Sequence, residues 1–145
     1  MNKKNIIFIC HGNICRSVAA EYIAKDMDKE HRFNIISRAT SLEEIGNDIY
    51  PPMKRELYRQ SIPYGYHEAQ RIDEVDYDWA DVIYYMDDNN LRYLNRLLMD
   101  KDHKFKPVFI YSEGIKEIED PWYTGNFSKV VDQLKRCIKD VFANI

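Results

Sequence analysis

The sequence predicts an α/β protein: a three-layer, doubly wound sheet of four parallel strands with helices on both faces. Three observations predict it. Short β-type apolar runs alternate with helical patterns along the chain. The first run, Ile6-Ile7-Phe8-Ile9, is unbroken rather than alternating, as a strand covered on both faces must be. The chain closes on an amphipathic stretch, Phe127 to Phe142, with apolar residues at Val130, Val131, Leu134, Ile138 and Val141. At 145 residues, with no repeat, low-complexity tract or linker, residues 1–145 are expected to form a single domain with a proper core.

The elements follow in order. The helix after the first run carries Val18, Ala19, Tyr22, Ile23 and Met27 on its apolar side, Lys25 and Asp26 outside, and should end near Lys29-Glu30. Phe33 to Ala39 is the second strand, and a strand–helix–strand succession implies a right-handed parallel crossover. Thr40 to Pro52 is loop-like, Met53 to Gln60 a short helix, and Ser61 to Arg71 an irregular stretch broken by Pro63 and Gly65. Ala80 to Met86 is the third strand, and Asp87-Asp88 caps a helix over Asn89 to Met99. Lys106 to Ile110 is the fourth strand, with Pro107 suited to its start or to an edge. A loop over Glu119 to Tyr123 leads into the last helix.

The chemical signal lies where the first run ends. The strand finishes at Cys10, passes through Gly12-Asn13, and becomes helix at about Cys15-Arg16. A strand, a short turn and a helix N-terminus make an anion site, because free backbone N–H groups and the helix dipole converge on the turn. Cys10 and Arg16 bracket that turn with five residues between them. A loop of this length can wrap its amides, those of His11, Gly12, Asn13, Ile14, Cys15 and Ser17, around a tetrahedral phosphate. Arg16 then closes the ring with a bidentate guanidinium. The same field stabilises a thiolate, and an ionised sulfur beside a bound phosphoryl group is a nucleophile. Gly12 and Asn13 suit the left-handed backbone of such a loop, and the Ser17 hydroxyl is placed to hydrogen-bond the sulfur. On this pattern alone, Cys10 as a small buried hydrophobe and Arg16 as a surface cation remain the alternative.

Composition narrows the partners. The net charge of −3 argues against nucleic acid or an anionic membrane as the main partner. The apolar run after Lys3-Lys4 is too short for a signal peptide or a membrane span. Three cysteines without framework spacing fit a reducing, cytoplasmic compartment. Cys10 and Cys15 frame the turn and can pair under oxidant, or Cys15 is simple packing; Cys137 reads as core. The four histidines, 11, 31, 67 and 103, show no metal-ligand spacing, so neither metal nor other cofactor is expected.

Cys10-His-Gly-Asn-Ile-Cys-Arg-Ser17 resembles the signature of the low-molecular-weight protein tyrosine phosphatases. It departs at His11, usually small or apolar, and at Val18, where proline is common and would stiffen the first helical turn. The likeness extends through Ser37-Arg-Ala-Thr40, Ile45-Gly46-Asn47, His67-Glu-Ala-Gln70-Arg71 and Met86-Asp87…Asn90-Leu91. It implies the strand order 2-1-3-4. It also implies a network in which Ser37 and His67 join Asn13 and Ser17 to support the loop. Expulsion of a phenolate calls for an acid, and Asp120-Pro-Trp-Tyr123 resembles the family's acid loop, which makes Asp120 the general acid and base. Trp122 and Tyr123 are then walls of a cleft for a phenyl ring, or otherwise core cover. The opposite wall, aromatic in many relatives, reads Leu42-Glu43-Glu44 here and would repel acidic phosphopeptides; Tyr50 is the nearby ring.

The implied activity is metal-free hydrolysis of phosphotyrosine in proteins through a phosphocysteine, by a cytoplasmic monomer or weak dimer. Protein arginine phosphatases resemble the same loop with a hydroxyl residue where Ile14 stands, and rank second. Arsenate reductases of this fold need relay cysteines, and none occurs between Cys15 and Cys137. A non-catalytic phosphate-binding adaptor is the rival from another class, disfavoured by the presence of both Cys10 and Asp120.

Overall fold

A computed structural model describes residues 3–145; Met1 and Asn2 of the expected domain lie outside the described residues. Strand β1, Lys4–Cys10, occupies the middle of a parallel four-stranded sheet. On one side it pairs with β2, Phe33–Ala39, in a register running from Lys4↔Phe33 to Cys10↔Ala39. On the other it pairs with β3, Val82–Tyr85, through Ile6↔Val82 to Ile9↔Tyr85. Strand β4, Phe105–Pro107, adds to β3 as the outer strand. The order is β2-β1-β3-β4, as the family resemblance implied.

Period-two alternation sorts the strand side chains between two helical layers. Ile6, Phe8 and Cys10 face α1 (Arg16–Met27), α2 (Pro51–Arg59) and α6 (Phe127–Asn144), packing with Val18, Ile23, Met53, Leu57, Val130 and Leu134. Ile7 and Ile9 face the opposite way, toward Tyr77 of α3 (Glu74–Trp79) and Leu94 of α4 (Asp88–Leu97). Ile6 through Ile9 are each 0 % exposed, and burying one such side chain is worth roughly 1.5–3 kcal/mol of transfer free energy. That burial makes β1 the rigid axis, and its C-terminal end is where Cys10 sits.

Several boundaries differ from expectation, each for a local reason. Helix α1 stops at Met27, short of Lys29-Glu30. Buried Asp28 accepts the backbone N–H groups of Arg32 at 2.9 Å and Phe33 at 3.0 Å, which turns the chain into β2. Helix α2 begins two residues early because Pro51 and Pro52 occupy its first turn, where a missing N–H costs nothing. The third strand is shorter than Ala80 to Met86. The fourth is Phe105–Pro107, not Lys106 to Ile110. After Pro107, Val108 N–H still reaches Tyr85 O at 2.9 Å, and Ile110 N–H folds back on Pro107 O at 3.0 Å to close a turn. Helix α3 was not anticipated. A short helix α5, Pro121–Thr124, replaces part of the expected loop, with Asp120 as its N-cap.

Candidate active site

Cys10 is the last residue of β1 and Arg16 the first of α1, so residues 11–15 make the turn between them. Asn13 adopts φ 60°, the left-handed backbone that asparagine tolerates better than most residues. This bend turns the chain back on the sulfur. Cys10 Sγ accepts the backbone N–H of Asn13 at 3.3 Å and of Ser17 at 3.4 Å.

Asn13 is held from every polar atom of its side chain. Its Nδ2 donates to Ser17 Oγ at 2.8 Å and to Ser37 Oγ at 2.9 Å. Its Oδ1 accepts the Gln70 N–H at 3.2 Å, and its carbonyl accepts His67 Nε2–H at 2.6 Å. Ser37 passes its own proton to Glu21 Oε1 at 2.6 Å, and Lys25 completes Glu21 from the surface. Ser17, already accepting from Asn13, is left to donate to Cys10 Sγ at 3.0 Å. One hydroxyl and two amides thus converge on the sulfur, an arrangement suited to an anion.

Arg16 is 2 % exposed. Its Nη1 donates to Asp87 Oδ2 at 2.7 Å and to Ile118 O at 2.9 Å, and Nη2 lies 3.5 Å from Asp120 Oδ2. Its buried Nε has no partner. Burial opposes the guanidinium's charge, but Cys10, Asp120 and Asp87 together outweigh it and raise the Arg16 pKa. For Cys15 burial acts with its neighbours. It pushes the thiol well above the ordinary range, Cys10 and Asp120 add to the rise, and Arg16 opposes it. Cys10, Cys15 and Cys137 are all free thiols.

The acid loop reaches the same place from the far end of the chain. Ile118 N–H bonds Met86 O at 2.9 Å, tying the loop to the end of β3. Asp120 Oδ1 accepts Trp122 N–H at 3.1 Å as the cap of α5, leaving Oδ2 toward Arg16. Glu119 is anchored by Lys129 at 2.6 Å and by Asn126 Nδ2 at 3.0 Å. The bonds from Lys129, Thr124 and Asn126 lower its pKa to about 2.

A cavity of about 120 Å³ opens between these parts. Cys10, His11, Gly12, Ile14, Cys15 and Arg16 form its floor and sides, and Asp120, Trp122 and Tyr123 form one wall. Asn13, Ser17, Ser37 and His67 do not line the cavity and support its loop through their mutual hydrogen bonds. Trp122 and Tyr123 are 50 % and 84 % exposed, which makes them rim rather than core cover. Tyr50 does not line the cavity: its ring packs on Trp122, centroids 4.6 Å apart, and supports that wall from outside. A larger groove, about 1020 Å³, runs between α2 and the start of α6, but neither cysteine nor histidine lines it. Among the described residues no group of three His, Cys, Asp or Glu side chains is placed to hold a metal ion.

Sequence reasoning missed two parts of this site. Asp87 was legible only as a helix cap, although its other oxygen orients Arg16. Glu21 carried no local signal at all. Leu42-Glu43-Glu44 was expected as a wall of the cleft, and Glu43 and Glu44 do line the cavity, whereas Leu42 does not.

A family model described as "Low molecular weight phosphotyrosine protein phosphatase" matches residues 5–145. The human low molecular weight phosphotyrosine protein phosphatase is 36 % identical, over 94 % of this chain and 92 % of its own length. The Bacillus subtilis low molecular weight protein-tyrosine-phosphatase YfkJ is 30 % identical over 97 % of this chain and 95 % of its own. The crystal structure of YfkJ superposes with a TM-score of 0.94 at 28 % identity, covering 100 % of this chain and 96 % of that one. The low molecular weight protein tyrosine phosphatase of Streptococcus pyogenes gives 0.90 at 30 % identity, over 98 % and 93 % of the two chains.

Proposed function

The chain belongs to the low molecular weight phosphotyrosine protein phosphatase family, and from that premise we propose how its residues hydrolyse phosphotyrosine in proteins. The phosphate occupies the loop, its oxygens held by the amides of residues 11–17 and by Arg16, whose free Nε supplies the donor still without a partner. Cys10 Sγ attacks phosphorus in line as the P–O bond to the ring breaks, and Asp120 gives its proton to the leaving phenolate oxygen. Water then attacks the phosphocysteine while Asp120 takes back a proton. Inorganic phosphate leaves, and the returning thiolate meets Ser17 Oγ and the two amides again.

One observation carries this reading: a sulfur accepting from Asn13, Ser17 and the Ser17 hydroxyl shares one small cavity with a buried, incompletely paired arginine and a carboxylate. Ile14 lines that cavity where the arginine phosphatases resembled above carry a hydroxyl, which supports the phenyl substrate. In this reading residues 1–145 act as one catalytic domain. The protein works without a cofactor in the cytoplasm, as a monomer or weak dimer, on phosphotyrosine proteins rather than nucleic acid or membrane.

The test is hydrolysis of p-nitrophenyl phosphate and of a phosphotyrosine peptide in EDTA. Cys10→Ser should abolish turnover of both. Asp120→Asn should cost about 10²–10⁴-fold on the peptide and less on p-nitrophenyl phosphate, whose leaving group departs without a proton. Loss of wild-type activity in EDTA, or its survival in the serine variant, would falsify the scheme.

A further inference from the structure

We propose that Glu43 and Glu44 make this enzyme select phosphotyrosine flanked by lysine or arginine, an inference that rests on the phosphatase reading above. The cavity is small, about 120 Å³, so the residues either side of the phosphotyrosine stay at the mouth. Arg16 lines the cavity, and its guanidinium fixes which end of the substrate goes in. What meets the flanking residues is therefore the rim.

That rim is asymmetric. The segment after Asp120 contributes Trp122 and Tyr123 to the lining, and the loop after β2 contributes Glu43 and Glu44. The two segments that supply these walls, residues 40–53 and 117–126, contain Glu43, Glu44, Asp48, Glu117, Glu119 and Asp120 but no lysine or arginine. Cations from outside the segments engage only some of them: Lys54 pairs with Asp48, Lys129 with Glu119, and Arg16 with Asp120.

Among the described residues Glu43 and Glu44 have no lysine or arginine partner of their own. Glu43 Oε2 is 3.0 Å from His11 Nε2, a contact that leaves the carboxylate's charge in place whenever the imidazole is neutral. Glu44 lays its stem across Gly12, and its carboxylate accepts from Asn47 Nδ2 at 2.7 Å, again a neutral partner. Both side chains are thereby aimed rather than free. The cations beyond His11, Arg92 and Arg96 on α4, are turned to Asn89 and to the Tyr93 ring and do not line the cavity. A basic side chain beside the phosphotyrosine gains two carboxylates, and an acidic one meets two like charges.

The experiment compares kcat/KM for phosphotyrosine peptides of equal length carrying either Lys and Arg or Asp and Glu at the flanking positions. At low salt the basic peptide should be favoured by about tenfold, the scale set by two partly exposed ion pairs replacing two repulsions. The ratio should shrink in about 0.5 M salt, where screening shortens to a few ångströms. It should fall toward unity in Glu43→Gln/Glu44→Gln and invert in Glu43→Lys/Glu44→Lys. A flat panel, an acidic preference, or a ratio unchanged by the Gln pair overturns the proposal while p-nitrophenyl phosphate turnover still upholds the phosphatase. Loss of turnover on every substrate overturns both.

Discussion

Arg16 and Asp87 stand 71 residues apart in the chain and are joined by a 2.7 Å hydrogen bond between Nη1 and Oδ2. The arginine side chain is 3 % exposed and the carboxylate 18 %, so little water competes for the contact. The other oxygen of Asp87 accepts Asn90 N–H at 2.9 Å as the cap of α4. One carboxylate therefore orients the guanidinium that meets the phosphate and at the same time starts a helix on the opposite layer.

Asp87→Asn separates the two duties, because asparagine caps as well as aspartate but presents no charge to Arg16. A hydrogen bond to a charged group is worth about 1.5–3 kcal/mol, which sets a loss of roughly 10- to 150-fold in kcat/KM with little change in thermal stability. Asp87→Ala should lose both activity and stability. Steady-state kinetics alongside thermal melts checks this, and wild-type kinetics in Asp87→Asn would remove Asp87 from the phosphate-binding apparatus.

Asn13→Ala removes a side chain whose amide satisfies Ser17, Ser37 and the Gln70 N–H, in a backbone conformation that alanine tolerates poorly. Buried polar groups left without partners cost about 1–3 kcal/mol. The variant should melt lower, and kcat should fall because Ser17 then has no amide fixing its proton toward the sulfur. Melting and kcat that both match wild type would show the network to be dispensable.

The strands and the catalytic loop were legible because they are local. Phe33–Ala39 was bounded correctly from sequence, and Cys10-to-Arg16 declares itself by spacing. The fourth strand misled because Val108 and Phe109 are apolar for packing against the core, while the chain turns at Pro107 and leaves Ile110 exposed. Helix α3 buries only Tyr77 and so shows no periodicity; its one signal is the reciprocal Asp73–Asp76 capping box. The partners of Arg16 and Ser37 were the least legible. Asp87 and Glu21 reach them across 71 and 16 residues, and a contact made by folding leaves no spacing to read.

The two cysteines of the loop should react very differently. Burial raises the Cys15 thiol far enough that it stays protonated at neutral pH, while Cys10 faces the cavity with three donors on its sulfur. Iodoacetate should inactivate with one equivalent incorporated, at Cys10, and inorganic phosphate should protect. Peptide mapping checks the site. Incorporation of label that disappears in Cys15→Ser but persists in Cys10→Ser would reverse the assignment.

Glu119 couples acid stability to the acid loop. Its pKa is about 2 when folded, against 4.5 ordinarily, owing to its bonds from Lys129, Thr124 and Asn126. A depressed carboxyl stabilises the fold fully above pH 4.5, and that contribution drains away as pH falls toward 2. Urea unfolding followed across this window should show stability falling more steeply with acid in wild type than in Glu119→Gln. Parallel pH profiles would mean that the anchor contributes nothing.

Gly12 is where the loop and the acidic wall touch. A Cβ built there would lie 3.3 Å from Glu44 Cγ and 3.8 Å from Ile14 Cγ1, so the alanine variant must displace the Glu44 stem before it disturbs anything else. The near neighbour is a flexible side chain on an exposed loop, and the cost should be small in stability. It should be larger in kcat/KM, because a stem pushed sideways presses on the loop that holds the phosphate. Gly12→Ala is expected to lower kcat/KM for p-nitrophenyl phosphate by about three- to tenfold, and Gly12→Ala/Glu44→Ala to recover most of it. The recovery is the decisive measurement. Two losses that merely add would mean that Gly12 is required for the shape of its own backbone and not for the room it leaves to Glu44.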